Sequence, residues 1–157
     1  MRRFWVVILA ASAGIAFAKP AFVTVKDGNT TLSVPKGYKA AVGENCISFA
    51  GGGSLYVFRT SASLDDFEKG EEPRKGKRVA SDKAVCFELT KPGENARCMI
   101  TTDDGRWITQ FVSFGKKYSA IGGAAAMQTI VTSIKGWSGK PYDGLYPASA
   151  DCPVVKL

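Results

Sequence analysis

Cys86 and Cys98 stand six residues either side of Pro92, at the centre of a Lys91-Pro92-Gly93 turn. Proline presets φ at one corner and glycine accepts positive φ at the next, so the tripeptide reverses the chain tightly. In the antiparallel hairpin that results, the two cysteines face each other. Turn chemistry and cysteine position therefore give one register independently. The sequence contains four cysteines and no histidine. Pairing Cys86 with Cys98 leaves Cys46 for Cys152, while pairings of Cys46 with Cys86 or Cys98 stay open. Zinc is the competing reading, but spacings of 40, 12 and 54 contain no C-x₂-C pair, which disfavours a structural metal site.

Period-two alternation marks further strands. Phe22–Lys26 and Thr30–Val34 flank an Asp27-Gly28-Asn29 turn, and Cys46–Ala50 and Leu55–Thr60 flank Gly51-Gly52-Gly53. Ser63 is placed to cap a short helix over Leu64–Lys69. Glu71–Arg78, charged and carrying Pro73 and Gly76, reads as an unstructured loop. After the cysteine hairpin, Asp104-Gly105 is a favoured two-residue loop. It sets Cys98 opposite Phe111, Met99 opposite Gln110 and Ile100 opposite Thr109.

The three strands then have distinct faces. Val85, Phe87, Leu89, Met99, Ile108, Val112 and Phe114 form an oily face. Cys86, Glu88, Cys98, Thr102, Trp107, Thr109 and Phe111 form a mixed one. Gly123–Lys135 predicts a helix with Met127, Ile130, Val131 and Ile134 on one stripe, closed by Gly136. That stripe is expected to cover the oily face, each side chain contributing roughly 1.5–3 kcal/mol. Residues 136–157, with prolines at 141, 147 and 153, read as an extended tail held by Cys152. The fold class is α+β: an antiparallel sheet of meander and hairpins, a C-terminal helix, a short second helix and a disulfide-stapled tail.

Met1-Arg2-Arg3, an apolar run from Phe4 to Phe17 and an Ala16-Phe17-Ala18 site have the form of a signal peptide cleaved between Ala18 and Lys19. The expected working unit is a single domain over 19–157, periplasmic or secreted, with no integral membrane span after processing. Formal charge is +7, and +5 once Arg2 and Arg3 are gone. This excess favours an acidic protein partner or an anionic envelope polymer, whereas an exported chain rarely meets nucleic acid.

The order of elements resembles the PsbP-like superfamily. Leu32-Ser33-Val34-Pro35-Lys36-Gly37-Tyr38 matches its extended segment and turn. Ser63-Leu64-Asp65-Asp66-Phe67 matches its short helix, and Ile130-Val131-Thr132-Ser133-Ile134-Lys135 its C-terminal helix. The resemblance covers about residues 22–135; the four cysteines and the stapled tail depart from it. It implies a domain of the non-enzymatic kind that docks on other proteins.

Without histidine, Ser-His-Asp and Cys-His catalysis are absent. The pairs Asp65/Asp66, Glu71/Glu72 and Asp103/Asp104 remain as candidates for a carboxylate-dependent hydrolase, against turn and cap roles for the same residues. Gly51-Gly52-Gly53-Ser54 lacks the lysine of a phosphate loop. No cofactor or metal is expected. Arg74, Lys75, Lys77 and Arg78 form the densest basic cluster and are candidate partner contacts. Trp137 and Tyr142, with Tyr146, are candidate interface anchors, or rings that pin the tail. The reading is a non-enzymatic protein-binding domain of the inhibitor or toxin-immunity type. An envelope protein that binds carbohydrate or an anionic polymer is its alternative.

Overall fold

In the computed structural model, which describes residues 21–71, 75–89, 95–112, 118–145 and 151–157, Cys86 lies directly opposite Cys98. The Lys91-Pro92-Gly93 turn itself lies outside the described residues, as do Ala18, Lys19, Arg74, Phe114 and Tyr146. The first hairpin pairs β1 (Phe22–Asp27) with β2 (Thr30–Pro35). Then follow β3 (Lys39–Val42), β4 (Ile47–Ala50), β5 (Ser54–Thr60), helix α1 (Leu64–Glu71), β6 (Lys75–Ala80), β7 (Ala84–Leu89), β8 (Asn95–Thr102) and β9 (Gly105–Val112). A 3₁₀ turn, Tyr118–Ile121, leads into α2 (Gly123–Ser133). Among the described residues, β3 to β9 form a seven-stranded antiparallel sheet in the order β3-β4-β5-β9-β8-β7-β6. The α+β class holds, and β3 is an addition to the expected strands.

Cys86 pairs with Cys98, separated by 12 residues, as the hairpin register requires, and Cys46 pairs with Cys152, separated by 106, the pairing that this leaves. The β8–β9 register differs from expectation. Cys98 faces Thr109, Met99 faces Ile108 and Ile100 faces Trp107, because Asp103 and Asp104 form the loop. Gly105 opens β9 with φ +135°, so the glycine follows the reversal instead of sitting within it. A slip of two residues leaves every side chain on its own face, and the two faces survive the correction.

Their covers are exchanged. Met127, Ile130 and Val131 of α2 pack in the cluster that holds Cys86, Cys98, Ile100, Trp107 and Phe111, the face expected to be mixed. A disulfide is apolar, and Thr109 on this face is fully buried, so the face is more oily than its residue types suggest. The Val85, Phe87, Met99 and Ile108 face is covered by Phe67 of α1 and by Tyr142 and Leu145 of the tail.

Two local expectations also change. Residues 75–80 are an edge strand, not loop, because β7 supplies their hydrogen-bonding partner; a bulge lies between Lys75 and Arg78. Gly136 is not the helix cap, since α2 ends at Ser133 and Ile134 is already extended. Gly136 (φ +73°) passes so close to the β1–β2 turn that a Cβ would lie 2.3 Å from the Asn29 carbonyl oxygen. Beside it, Thr31 and Lys135 exchange backbone hydrogen bonds at 3.0 and 2.9 Å.

Candidate functional site

Helix α1 is fixed by a cap, by a buried ion pair to β8 and by one exposed ion pair to the basic strand β6. Ser63 caps α1: its hydroxyl accepts from the Asp66 N–H at 3.1 Å and donates to the Asp66 carboxylate at 2.6 Å. The Ser63 hydroxyl, with the Ser63 backbone contact after it, holds the Asp66 pKa below the usual carboxylate value. Phe67 points inward and is fully buried. At the end of the helix Glu71 is also fully buried, and Arg97 of β8, 3% exposed, donates to its carboxylate. The same guanidinium donates to the Leu145 carbonyl at 2.6 Å and lies 5.9 Å from the Phe67 ring centre. One arginine therefore joins sheet, helix and tail.

On the outer side, Arg78 pairs with Glu68 at 2.7 Å, and Lys77 and Arg78 are both exposed. The basic cluster predicted as a loop is thus partly a strand. Lys75 opens β6, though its side chain lies outside the described residues. No other described strand pairs with the free side of β6. The bulge and Lys77 are the devices that keep such an edge from pairing with a second copy.

Trp137 and Tyr142 pin the tail to the sheet. The Trp137 indole, 9% exposed, donates to the Gly43 carbonyl at 2.9 Å and sits 5.5 Å from the Trp107 ring. Arg59 lies 4.7 Å over Trp107 and pairs with Asp104 at 3.0 Å. Tyr142 is half-buried, meets Phe58 edge-on at 6.3 Å, and exchanges backbone hydrogen bonds with Arg59 and Ser61. The rings of Trp137 and Tyr142, candidate interface anchors or tail pins, are engaged by the sheet, which agrees with the pinning alternative.

In each candidate carboxylate pair one described member has a structural partner, and Glu72 lies outside the described residues. Asp66 serves a cap and Glu71 an internal ion pair. Asp104 accepts from the Thr102 hydroxyl, which, with Arg59 beyond it, lowers its pKa. Tyr118, buried with its hydroxyl 3.5 Å from Cys98 Sγ, has its pKa raised by burial and by Glu88, so it stays protonated. Among the described residues no group of three or more Cys, Asp or Glu could hold a metal ion, and no helix is long and apolar enough to cross a membrane.

A cleft of about 610 Å³ opens where the β1–β2 turn, the β3–β4 loop and residues 136–140 meet. Its walls are tied together. The Val42 N–H donates to the Asp27 carboxylate at 2.8 Å, and Trp137 holds Gly43. Compared with known proteins, the chain matches no family model and no curated sequence.

Sequence reasoning missed the cleft and the Glu71–Arg97 pair. The second left a signal: by alternation Arg97 falls on the oily face beside Met99 and Phe87, where a cation needs a counter-ion. The cleft left none, because three distant turns make it.

Proposed function

We propose that this chain is an exported, periplasmic or secreted, non-enzymatic binding domain of the inhibitor or toxin-immunity type, which works by occluding an acidic surface on a partner protein. The observation that carries the reading is the placement of the basic cluster. Arg78 is in register with Phe87 of the disulfide-bridged β7–β8 hairpin and Lys77 stands beside it in the β6 bulge, so the strand that carries both charges is anchored before any partner arrives. Pre-organised charge loses less entropy on binding than charge on a loop, and it steers the encounter. Two disulfides suit an oxidising compartment, and the PsbP-like resemblance points toward docking.

The test is capture from envelope extract on immobilised chain, followed by assay of the retained protein. A retained protein that loses its activity at a 1:1 ratio supports the reading. The Lys77→Glu/Arg78→Glu variant is expected to bind that protein at least about tenfold more weakly while keeping its fold, its melting temperature lowered only slightly by loss of the exposed Arg78–Glu68 pair, worth about 1 kcal/mol or less. Equal binding by the variant, no retained protein, or substrate turnover by the chain itself would overturn it.

A further inference from the structure

We infer that the cleft between the β1–β2 turn, the β3–β4 loop and residues 136–140 is a binding site for a short neutral oligosaccharide. The inference is independent of the protein-binding surface on β6. At about 610 Å³ the cleft has the size of a small-ligand site. Its walls are rigid, being fixed by the Asp27–Val42 and Trp137–Gly43 hydrogen bonds and by the paired backbone bonds between Thr31 and Lys135. The Cys46–Cys152 bridge lies behind the β3–β4 loop, with Pro153 packed so near that a Cβ on Gly43 would lie 2.9 Å from it.

The lining chemistry selects among ligands. Asn29, Glu44, Asn45, Ser138 and Lys140 line the cleft, and none of their side chains hydrogen-bonds or ion-pairs with another described residue. Two amides and a hydroxyl both donate and accept, Glu44 accepts and Lys140 donates. A sugar hydroxyl is donor and acceptor at once, so it can answer all five. A polyanion would meet one ammonium against Asp27 and Glu44, on a chain whose overall charge is positive. An apolar side chain would find the single indole occupied, by Trp107 at 5.5 Å and by Gly139, where a Cβ would lie 2.2 Å from the ring. Hydrogen bonding without a stacking platform gives weak affinity, in about the millimolar range.

The experiment is amide chemical-shift mapping of the ¹⁵N-labelled chain titrated with chitotriose and with maltotriose, each to about 20 mM, well above a millimolar dissociation constant. The expected result is saturable shifts confined to residues 27–30, 42–45 and 136–140 for at least one trisaccharide, retained in about 0.5 M salt, where charge interactions are screened. Glu44→Ala/Lys140→Ala, at two exposed positions, should weaken binding about fivefold or more for each lost hydrogen bond and leave the melting temperature unchanged. Absence of shifts with both sugars overturns the inference, as do shifts centred elsewhere. Cleft shifts produced only by polyphosphate and abolished by salt would also overturn it.

Discussion

Replacing Cys46 and Cys152 together with alanine is expected to remove up to about 4.7 kcal/mol of stability, the chain-entropy value for a closed loop of about a hundred residues. The bridge spans 106 residues and fastens a segment with little secondary structure of its own. Past Cys152 the chain packs Pro153 against Gly43 and brings the Lys156 carbonyl to 3.5 Å from Lys39 Nζ, at the two ends of the edge strand β3. Once reduced, that segment loses its covalent tie, while Val154 and Leu157 are already 87% and 83% exposed. Urea denaturation of the double variant measures the loss, and limited proteolysis should cut it first near the C-terminus. The Cys86–Cys98 bridge closes a much shorter loop, and removing it is expected to cost about 3 kcal/mol in the same model. A loss under about 1 kcal/mol for the Cys46/Cys152 variant would show that the tail is held by something other than its bridge.

Arg97→Ala is the second large effect, with an expected cost of about 3–5 kcal/mol. The substitution leaves a fully buried carboxylate at Glu71 without its guanidinium and removes the donor to Leu145. The control is Arg97→Met combined with Glu71→Leu, which replaces both charges by apolar groups of similar volume. Such exchanges are often neutral or stabilising, so the double variant should recover most of the loss. If the single and double variants unfold at the same denaturant concentration, the pair contributes only packing. If the single variant is unaffected, α1 is held by Phe67 and not by charge.

The register of β7 on β8, the Cys86–Cys98 pair with Cys46–Cys152 as its complement, the Ser63 cap and the Met127, Ile130 and Val131 stripe of α2 were legible in the sequence. Each is local, or is tied to a covalent constraint. What failed to read depends on distant chain. Lys75–Ala80 has the composition of a loop, and it becomes a strand because β7 offers it an edge. The cover of each face could not be read from face polarity, because Cys86, Cys98 and Thr109 count as polar types yet are fully buried. Asp104-Gly105 is a good hairpin loop, but Asp103-Asp104 with a following glycine satisfies the same turn, and the Thr102 and Arg59 contacts to Asp104 secure it. Of the candidate contacts, Lys77 and Arg78 remain exposed. The rings of Trp137 and Tyr142 pack on Trp107 and Phe58.

Export and oxidation of the scaffold are the premise of the proposed function, and mass analysis of the protein purified from its native source under non-reducing conditions tests both at once. The predicted result is a chain beginning at Lys19, whose peptide map joins Cys46 to Cys152 and Cys86 to Cys98. A chain that retains residues 1–18 and carries four alkylatable thiols would contradict it.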